Sequence, residues 1–294
     1  MDADRRKNRK IFKKNHSIKF YMDENTISKH YGISGILNSI LKGLEDSGKN
    51  PASLVPEDLA PIDEFHTRGK VSTIEIANLA QLESQHSVLD VGCGLGGSAR
   101  YIATKFGCSV MGVDLTEEYI DVANKLTEFV NLSDKVSFKQ ASALELPFSS
   151  ESFDVVWTEH TQMNISDKGK FYSELSRVLK PNGRLVFHDI FGTDNTPFYP
   201  TPWAEQVSMS SLCTQDEAKN AIEKSDLVIE EWIDKSKLSM EFFKEMVKKV
   251  EGSGPPPLGF HLLMGKTAKE KLSNQARNLE ENRVTIAQGT AIKK

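Results

Sequence analysis

The chain has 294 residues, of which 38% are hydrophobic and 27% are charged, and this composition is typical of a globular protein. Its formal net charge of −4 does not favour a nucleic acid or an anionic membrane as a partner. No apolar run approaches the roughly 20 residues of a membrane span. Three widely spaced cysteines exclude a zinc or Cys-x-x-Cys motif, so we expect a cytoplasmic protein without a metal.

The N-terminal part of the chain divides into a tail and a helical block. Residues 1–20 are strongly basic and lack the apolar core of a secretory signal, which predicts a flexible tail, with a targeting remnant as the open alternative. Residues 21–80 contain two helical patterns, at 27–46 and 71–82, around a turn-rich stretch. We expect this block to form a helical lid over a sheet rather than an independent domain.

From about residue 85 the chain alternates between strand-like and helix-like patterns. The predicted strands are 87–91, 108–114, 136–142, 153–159 and 184–190, and the predicted helices between them are 96–106, 116–130 and 167–180. The second helix begins with Thr116 as a cap and two glutamates in its first turn. This alternation predicts an α/β fold with a largely parallel sheet.

The alternation breaks after Ile190. Residues 191–211 carry three prolines and four aromatic residues, and we interpret them as an inserted loop or lid. Helices at 216–225, 238–250 and 266–283, a strand at 227–234 and a final edge strand at 284–294 are predicted to follow. We therefore expect residues 21–294 to be one domain, with a ligand-binding core at 85–190 and a substrate insert within 191–294.

The stretch VLDVGCGLGG, residues 88–97, ends the first strand of the sheet with closely spaced glycines. Gly92, Gly94 and Gly96 permit a ligand to approach the backbone beyond the strand, where ligands of α/β sheets bind. Their spacing is GxGxG rather than the GxGxxG of dinucleotide sites, which disfavours a dehydrogenase. Asp114 ends the second strand, where its carboxylate can accept hydrogen bonds from both hydroxyls of a ribose. A purely structural turn is the alternative.

The DVGCGxG form resembles motif I of class I S-adenosylmethionine-dependent methyltransferases. Residues 140–157 and the segment VLKPNGRLVF, 178–187, are similar to that family as well. The resemblance implies a Rossmann-like, mostly parallel sheet with an antiparallel final strand, and S-adenosylmethionine as cofactor. The family usually has Asp-Ala beside the adenine, where this chain has Ser142-Ala143. The expected cofactor-binding residues are Tyr31, Thr67, Asp90, Gly92, Gly94, Gly96, Asp114, Leu115, Ser142, Ala143 and Glu159.

Residues 30–73, 162–165 and 198–205 resemble the sarcosine/dimethylglycine N-methyltransferases. This resemblance implies N-methylation of a small-molecule amine toward glycine betaine, with Tyr31 closing over the cofactor and Thr67 bonding its carboxylate. Phosphoethanolamine methyltransferases share a looser version of the pattern. Their catalytic Tyr–His pair is incomplete here, because Asn164 stands at the histidine position.

The remaining candidates concern the acceptor. His160 and Gln162 follow the fourth strand at the ligand end of the sheet and are the predicted catalytic residues, with His160 or solvent as proton acceptor. His66 and Arg68 are expected to bind an acceptor carboxylate. Asn164, Tyr199 and Trp203 complete the predicted acceptor site. Tyr199 and Trp203 are included because a quaternary ammonium cannot donate hydrogen bonds and is bound by aromatic faces.

Three alternatives stay open from the sequence. In the first, the acceptor is a different small molecule, such as phosphoethanolamine or a ring carbon. In the second, the chain is a pseudoenzyme that binds the cofactor and regulates a partner. The sequence does not decide between a monomer and a homodimer.

Overall fold

A computed structural model describes residues 24–32, 34–253 and 256–294. The predicted basic tail at 1–20 lies outside these ranges, as does Ile33 of the first predicted helix. At the centre is a seven-stranded sheet in the order β3-β2-β1-β4-β5-β7-β6. Its strands are β1 Ser87–Val91, β2 Ser109–Asp114, β3 Val136–Gln140, β4 Phe153–Glu159, β5 Leu179–Gly192, β6 Leu227–Asp234 and β7 Val284–Lys293.

Neighbouring strands from β3 through β5 pair in parallel, whereas β7 runs antiparallel to both β5 and β6. The expected Rossmann-like class I sheet with an antiparallel final strand is therefore confirmed. The final strand is not at the edge, however, and that detail of the prediction is wrong. Most of β7 is buried between two strands, and β6 forms the edge with Glu230 and Glu231 exposed.

Helices cover both faces of the sheet. The α-helices of the described chain are α1 Glu24–Tyr31, α2 Ile36–Asp46, α3 Ala60–Asp63, α4 Lys70–Ala80, α5 Gly97–Phe106, α6 Glu117–Phe129, α7 Lys168–Val178, α8 Gln215–Glu223, α9 Ser236–Ser253, α10 His261–Met264 and α11 Ala268–Glu280. Apolar residues of α4 and α5 pack on one face, and those of α7 and α8 pack on the other. None of the helices within the described ranges is long and apolar enough to cross a membrane.

The N-terminal block packs over the carboxyl ends of the parallel strands. The predicted helix at 27–46 is two helices, because the chain turns between them and Gly35 has a φ of +79°. Helix α2 buries Ile36, Ile40 and Leu44 against an apolar face of α6, whereas α1 has no buried residue. Helix α1 is therefore the less firmly packed part of this cover.

The C-terminal helices and the insert form a separate apolar cluster beside the same end of the sheet. Trp203 and Ala204 of the insert are buried against Phe243 of α9, Leu272 of α11 and Ile286 of β7. The cluster is continuous with the end of β5 through Ile190. This arrangement brings residues more than 170 positions apart to the edge of one cavity, together with the glycine turn.

Candidate active site

The glycine turn after β1 has a backbone that other residues would strain. Gly92, Gly94 and Gly96 have φ values of +79°, +52° and +83°. A Cβ atom on Gly92 would lie 2.1 Å from Oγ1 of Thr161, and one on Gly96 would lie 2.3 Å from the Phe138 ring. A Cβ on Gly94 would meet nothing within 4 Å. Gly94 thus leaves space on the cavity side, while the other two glycines permit close packing of the turn.

A deep cavity lies at the carboxyl ends of β1, β2, β4 and β5, beneath the N-terminal cover. It brings together most of the residues that the sequence predicts for the site. Those that line it are Tyr31, His66, Thr67, Asp90, Gly92, Gly94, Asp114, Leu115, Ala143, Glu159, His160, Asn164 and Trp203. Arg68, Gly96, Ser142, Gln162 and Tyr199 are not part of its wall.

Two of these outlying residues have their polar groups engaged elsewhere. The Gln162 side chain is buried; its amide nitrogen donates to the Ile190 carbonyl, and its oxygen accepts from Sγ of Cys213. Arg68 forms a two-bond ion pair with Glu75, at 2.6 and 2.7 Å. The geometry therefore does not support the catalytic role predicted for Gln162 or the carboxylate-binding role predicted for Arg68.

The other three outlying residues support the cavity from outside. Ser142 contacts Glu24 of α1, so it holds the cover beside the predicted adenine region. Tyr199 is half-buried against the apolar cluster of the insert. Gly96 lies behind the turn, against Phe138.

Asp90 and Asp114 lie at the carboxyl ends of β1 and β2 and place carboxyl groups on the cavity wall. Asp114 accepts hydrogen bonds from the backbone N–H groups of Gly94, at 3.0 Å, and Thr116, at 2.9 Å. Burial raises the pKa of Asp90 well above its usual value, and the charges of Glu159 and Asp114 raise it further. Its Oδ2 is buried without a hydrogen-bond partner within the described chain. A cationic ligand would favour the ionised form of this carboxyl group and supply the missing partner, so the position is suited to such a ligand.

His66 lies on the cavity wall between two glutamates. Its Nε2 is 3.0 Å from Oε2 of Glu64 and 3.3 Å from Oε1 of Glu159. Burial alone would lower the pKa of His66, but the charges of Glu159 and Glu64 outweigh it and raise that pKa to about 9. His66 is therefore an imidazolium at neutral pH, and its charge is shared between two carboxylates.

His160 lines the cavity in the opposite protonation state. Burial lowers its pKa well below the usual value, and the nearby charges of His188 and His66 lower it further. Its ring lies 4.9 Å from that of His188, whose own pKa burial lowers to about 3. The Thr67 amide faces Nε2 of His160 at a long 3.4 Å. His160 is thus a neutral imidazole at neutral pH.

Two unpartnered hydroxyls and one lid contact complete this end of the cavity. Oγ1 of Thr67 and the hydroxyl of Tyr119 are buried without hydrogen-bond partners within the described chain, and both residues line the wall. Tyr31 of α1 and Asn164 exchange hydrogen bonds at 3.1 and 3.3 Å across the cavity. Tyr119 was not predicted from the sequence, because its position within α6 indicates a core residue.

The far end of the cavity is lined by a different set of side chains. We call it the apolar chamber, defined by Ile190, Trp203, Phe243, Phe260, Met264 and Leu272. Gln275 of α11 also lines this wall, and neither atom of its buried amide has a hydrogen-bond partner. Apart from Trp203, the sequence analysis did not assign these residues to the site. The periodic apolar faces of α9 and α11 were the available signal, but they do not distinguish a cavity wall from a core.

Comparisons with known proteins identify the core of this fold. A family model described as "Methyltransferase domain" matches residues 89–187. Tocopherol O-methyltransferase of Arabidopsis thaliana is 44% identical over 131 residues, which cover 42% of this chain and 38% of that protein. Glycine/sarcosine/dimethylglycine N-methyltransferase of Actinopolyspora halophila is 29% identical over 135 residues, which cover 46% and 24%. In each of the first curated relatives, the segment matched by this chain covers about half of that protein's length or less.

Solved structures show the same fold at low identity. A putative sarcosine dimethylglycine methyltransferase from Galdieria sulphuraria superposes with a TM-score of 0.64 and 19% identity, over 76% of this chain and 86% of that one. Geranyl diphosphate C-methyltransferase from Streptomyces coelicolor gives a TM-score of 0.68 and 18% identity, over 92% and 98%.

The family model identifies residues 89–187 as a methyltransferase domain, and the sheet has the fold of class I methyltransferases, some of which were solved with S-adenosylmethionine or S-adenosylhomocysteine bound. The cavity fits S-adenosylmethionine, because unpartnered buried oxygens of Asp90, Thr67 and Tyr119 lie beside the open glycine turn. The named relatives methylate oxygen, carbon or nitrogen, so their names do not select one acceptor for this chain.

Proposed function

We propose that this protein transfers a methyl group from S-adenosylmethionine to a neutral, largely apolar small molecule. The observation that carries the proposal is the distribution of charge along the cavity. Among the described residues that line it there is no lysine or arginine, and the imidazolium of His66 is already paired with Glu64 and Glu159. The carboxyl groups of the wall come from Glu24, Asp63, Asp90, Asp114 and Glu159. The chamber at the far end is apolar.

The carboxylates favour a cationic cofactor. Asp114 has lone pairs available for ribose hydroxyls, and Oγ1 of Thr67 and Oδ2 of Asp90 are unpartnered beside the turn. Leu115 and Ala143 supply apolar wall for a base. When bound, S-adenosylmethionine supplies an electrophilic methyl group on a sulfonium. The surrounding residues then need only position the acceptor and exclude water.

The same carboxylates disfavour an anionic acceptor. A buried carboxylate or phosphate needs a cationic partner, because an unpaired buried charge is very costly. Arg68 is engaged by Glu75, and the buried Lys271 is engaged by Glu205 at 2.6 Å. A neutral molecule with an apolar body has no such requirement. The tocopherol methylated by a similar relative illustrates this class.

His160 is the residue that we propose to accept the acceptor's proton. It lines the cavity and is neutral, so its imidazole has a free lone pair when the Thr67 contact of 3.4 Å opens. The nearby imidazolium of His66 cannot serve, because it is already protonated. Transfer of a hydroxyl proton to His160 would leave that oxygen with its electron pair available for attack, whereas a carbon acceptor would give up its proton after the new bond has formed.

N-methylation of sarcosine or dimethylglycine is the second candidate function. It is supported by the resemblance of the cover and insert to that family, and by the two similar methyltransferases named for these substrates. In this reading the cavity-lining imidazolium of His66 would pair with the carboxylate of the acceptor. Its two glutamate neighbours make it a poor carboxylate site, so we rank this candidate second.

One competition experiment separates the candidates. The protein is incubated with methyl-labelled S-adenosylmethionine and equal concentrations of sarcosine, dimethylglycine, phosphoethanolamine, geranyl diphosphate and γ-tocopherol, and the products are identified by mass spectrometry. We expect label on the neutral phenol. Label on dimethylglycine or sarcosine alone would replace the first candidate by the second. Absence of S-adenosylmethionine binding in calorimetry would overturn both.

A further inference from the structure

Gln275 carries two buried polar atoms that the described protein does not satisfy. The residue is fully buried on α11, and neither Nε2 nor Oε1 has a hydrogen-bond partner. An unsatisfied buried amide destabilises a folded protein, which is why nearly all such groups are paired. The Gln275 side chain lines the cavity, so the missing partner has space to bind there.

The neighbours of Gln275 indicate what kind of partner fits. The chamber side chains contributed by the insert and by α9–α11 are otherwise apolar, apart from the indole nitrogen of Trp203. That nitrogen already donates to Oγ of Ser210 at 2.9 Å. Gln275 is therefore the unengaged hydrogen-bonding side chain within this part of the described wall.

We propose that Gln275 binds a hydroxyl group of an acceptor whose body is apolar. The amide offers one acceptor oxygen and two donor hydrogens but no charge, so it cannot compensate a carboxylate or a phosphate. A hydroxyl both donates and accepts, and it can satisfy Oε1 and Nε2 of the same amide. This assignment rests on the proposed function and narrows its acceptor from neutral apolar molecules to alcohols and phenols.

The experiment uses a matched pair of probes, 2-naphthol and naphthalene, which differ by one hydroxyl. Their dissociation constants are measured by calorimetry with the full chain saturated with S-adenosylhomocysteine, for the wild type and for Gln275→Met. Methionine retains the shape of glutamine without its hydrogen-bonding groups. The wild type is expected to prefer 2-naphthol, and the variant is expected to lose about threefold to tenfold of that preference.

A second buried amide on the same helix provides the control. Asn278 is also fully buried, but it accepts from the Phe198 amide at 2.7 Å and donates to the Phe198 carbonyl at 3.0 Å. Asn278→Leu is expected to lower the thermal midpoint and leave the preference for 2-naphthol unchanged. Gln275→Met is expected to keep or raise its thermal midpoint, because no intramolecular hydrogen bond is lost and an unsatisfied buried amide is removed.

Each alternative result has a separate meaning. Equal hydroxyl preference in the wild type and Gln275→Met would overturn the role of Gln275 and leave the neutral acceptor class in place. Binding of neither probe, with normal binding of S-adenosylhomocysteine, would overturn both the neutral acceptor class and the role of Gln275. Failure to bind S-adenosylhomocysteine would instead count against methyl transfer from S-adenosylmethionine, and therefore against the proposed function as a whole.

Discussion

The two ends of the cavity are built in different ways. The end beside the glycine turn is formed by the last residues of β1, β2 and β4 and by the turns after them, and it contains Asp90, Asp114 and Glu159. The chamber end is formed by an insert and three helices that come late in the chain, and its wall is mostly apolar. We call these the cofactor half and the acceptor half.

The difference shows where each half obtains its specificity. In the cofactor half, buried charges and unpartnered oxygens must be met by a ligand of complementary charge, so electrostatics decide what binds. In the acceptor half, the shape of the chamber and the amide of Gln275 decide what binds, because the burial of an apolar body imposes no directional requirement. Variants should therefore separate the halves by their response to pH, charge and hydroxyl groups.

The largest effect is expected for Arg100, whose charge ties the cover to the cofactor half. Its Nη2 lies 2.5 Å from Oδ1 of Asp63, and both side chains are buried. Arg100→Met would leave the Asp63 carboxylate without its partner and lower the free energy of unfolding by about 3–5 kcal/mol. Urea unfolding at pH 8 measures this loss. The matched control Arg184→Met breaks a half-exposed pair with Glu230 and should cost at most about 1 kcal/mol.

The protonation state of Asp63 provides a further check on that variant. Burial raises the pKa of Asp63 to about 6 even with Arg100 beside it. At pH 5 the carboxyl is largely protonated, so the loss in Arg100→Met should be smaller than at pH 8. An equal loss at both pH values, or no recovery in the double variant Arg100→Met with Asp63→Leu, would show that the lost stability is not electrostatic.

The raised pKa of His66 predicts a pH dependence of the free energy of unfolding, and this dependence originates in the cofactor half. The pKa of His66 is about 9 in the folded protein, above the unfolded value of 6.5, so the folded state binds the proton more tightly. The resulting stabilisation is fully present below pH 6.5 and is lost as pH rises through 9, a change on the order of 3 kcal/mol. Unfolding free energies measured from pH 6 to 9.5 should decline in the wild type.

A histidine outside the cavity separates this effect from general alkaline unfolding. His66→Gln should flatten the decline between pH 6.5 and 9, whereas the matched variant His86→Gln should retain it. His86 lies before β1, where its Nδ1 accepts from the Glu83 amide. A decline that persists unchanged in His66→Gln would assign the titration to a different group.

The cofactor half could largely be predicted from the sequence, because its signals are local. The glycine turn, the acid that ends β2 and the strand 153–159 all depend on residues within a few positions of one another. The fold class follows from the same alternation. The roles predicted for Arg68 and Gln162 lack support from the geometry, because partners outside the cavity engage both side chains. Glu75 lies seven residues after Arg68, and Cys213 lies 51 residues after Gln162.

The acceptor half could not be predicted to the same extent. Gln275 lies on a helix whose sequence pattern shows one apolar and one polar face, and a buried glutamine does not differ locally from an exposed one. Whether Phe243 lines a cavity or fills a core depends on how α9 packs on α11, which is a matter of tertiary contacts. The position of β7 inside the sheet depends on the pairing of β6, so the final strand was wrongly expected at the edge.

Asp114 tests whether the cofactor half binds through its carboxylates. Asp114→Ala removes the acceptor predicted for the ribose hydroxyls and should weaken binding of S-adenosylmethionine by about 1–3 kcal/mol, or roughly 5- to 150-fold. Calorimetry on the folded variant measures the change. Asp121→Ala, on the exposed face of α6, is the control and should bind normally. Unchanged affinity in Asp114→Ala would remove this residue from the ribose site.

The smallest effect is expected at Tyr31, which joins α1 to the body of the protein at the boundary of the two halves. Helix α1 has no buried residue, and its described polar contacts to the cavity rim include Tyr31 with Asn164 and Glu24 with Ser142. Tyr31→Phe removes both hydrogen-bond contacts between the Tyr31 hydroxyl and the Asn164 amide, so α1 should open more often. Binding of S-adenosylhomocysteine should weaken by about 0.5–1.5 kcal/mol.

Amide exchange locates this effect within the chain. In the wild type, S-adenosylhomocysteine should increase exchange protection across residues 25–70, and Tyr31→Phe should reduce that increase mainly within α1. Tyr101→Phe is the control, because Tyr101 packs edge-on against Phe106 on α5, away from Asn164. Protection that is identical with and without ligand in the wild type would mean that the cover is a static part of the core. The cofactor half would then bind its ligand through a preformed opening, and the difference between the two halves would lie in their charge alone.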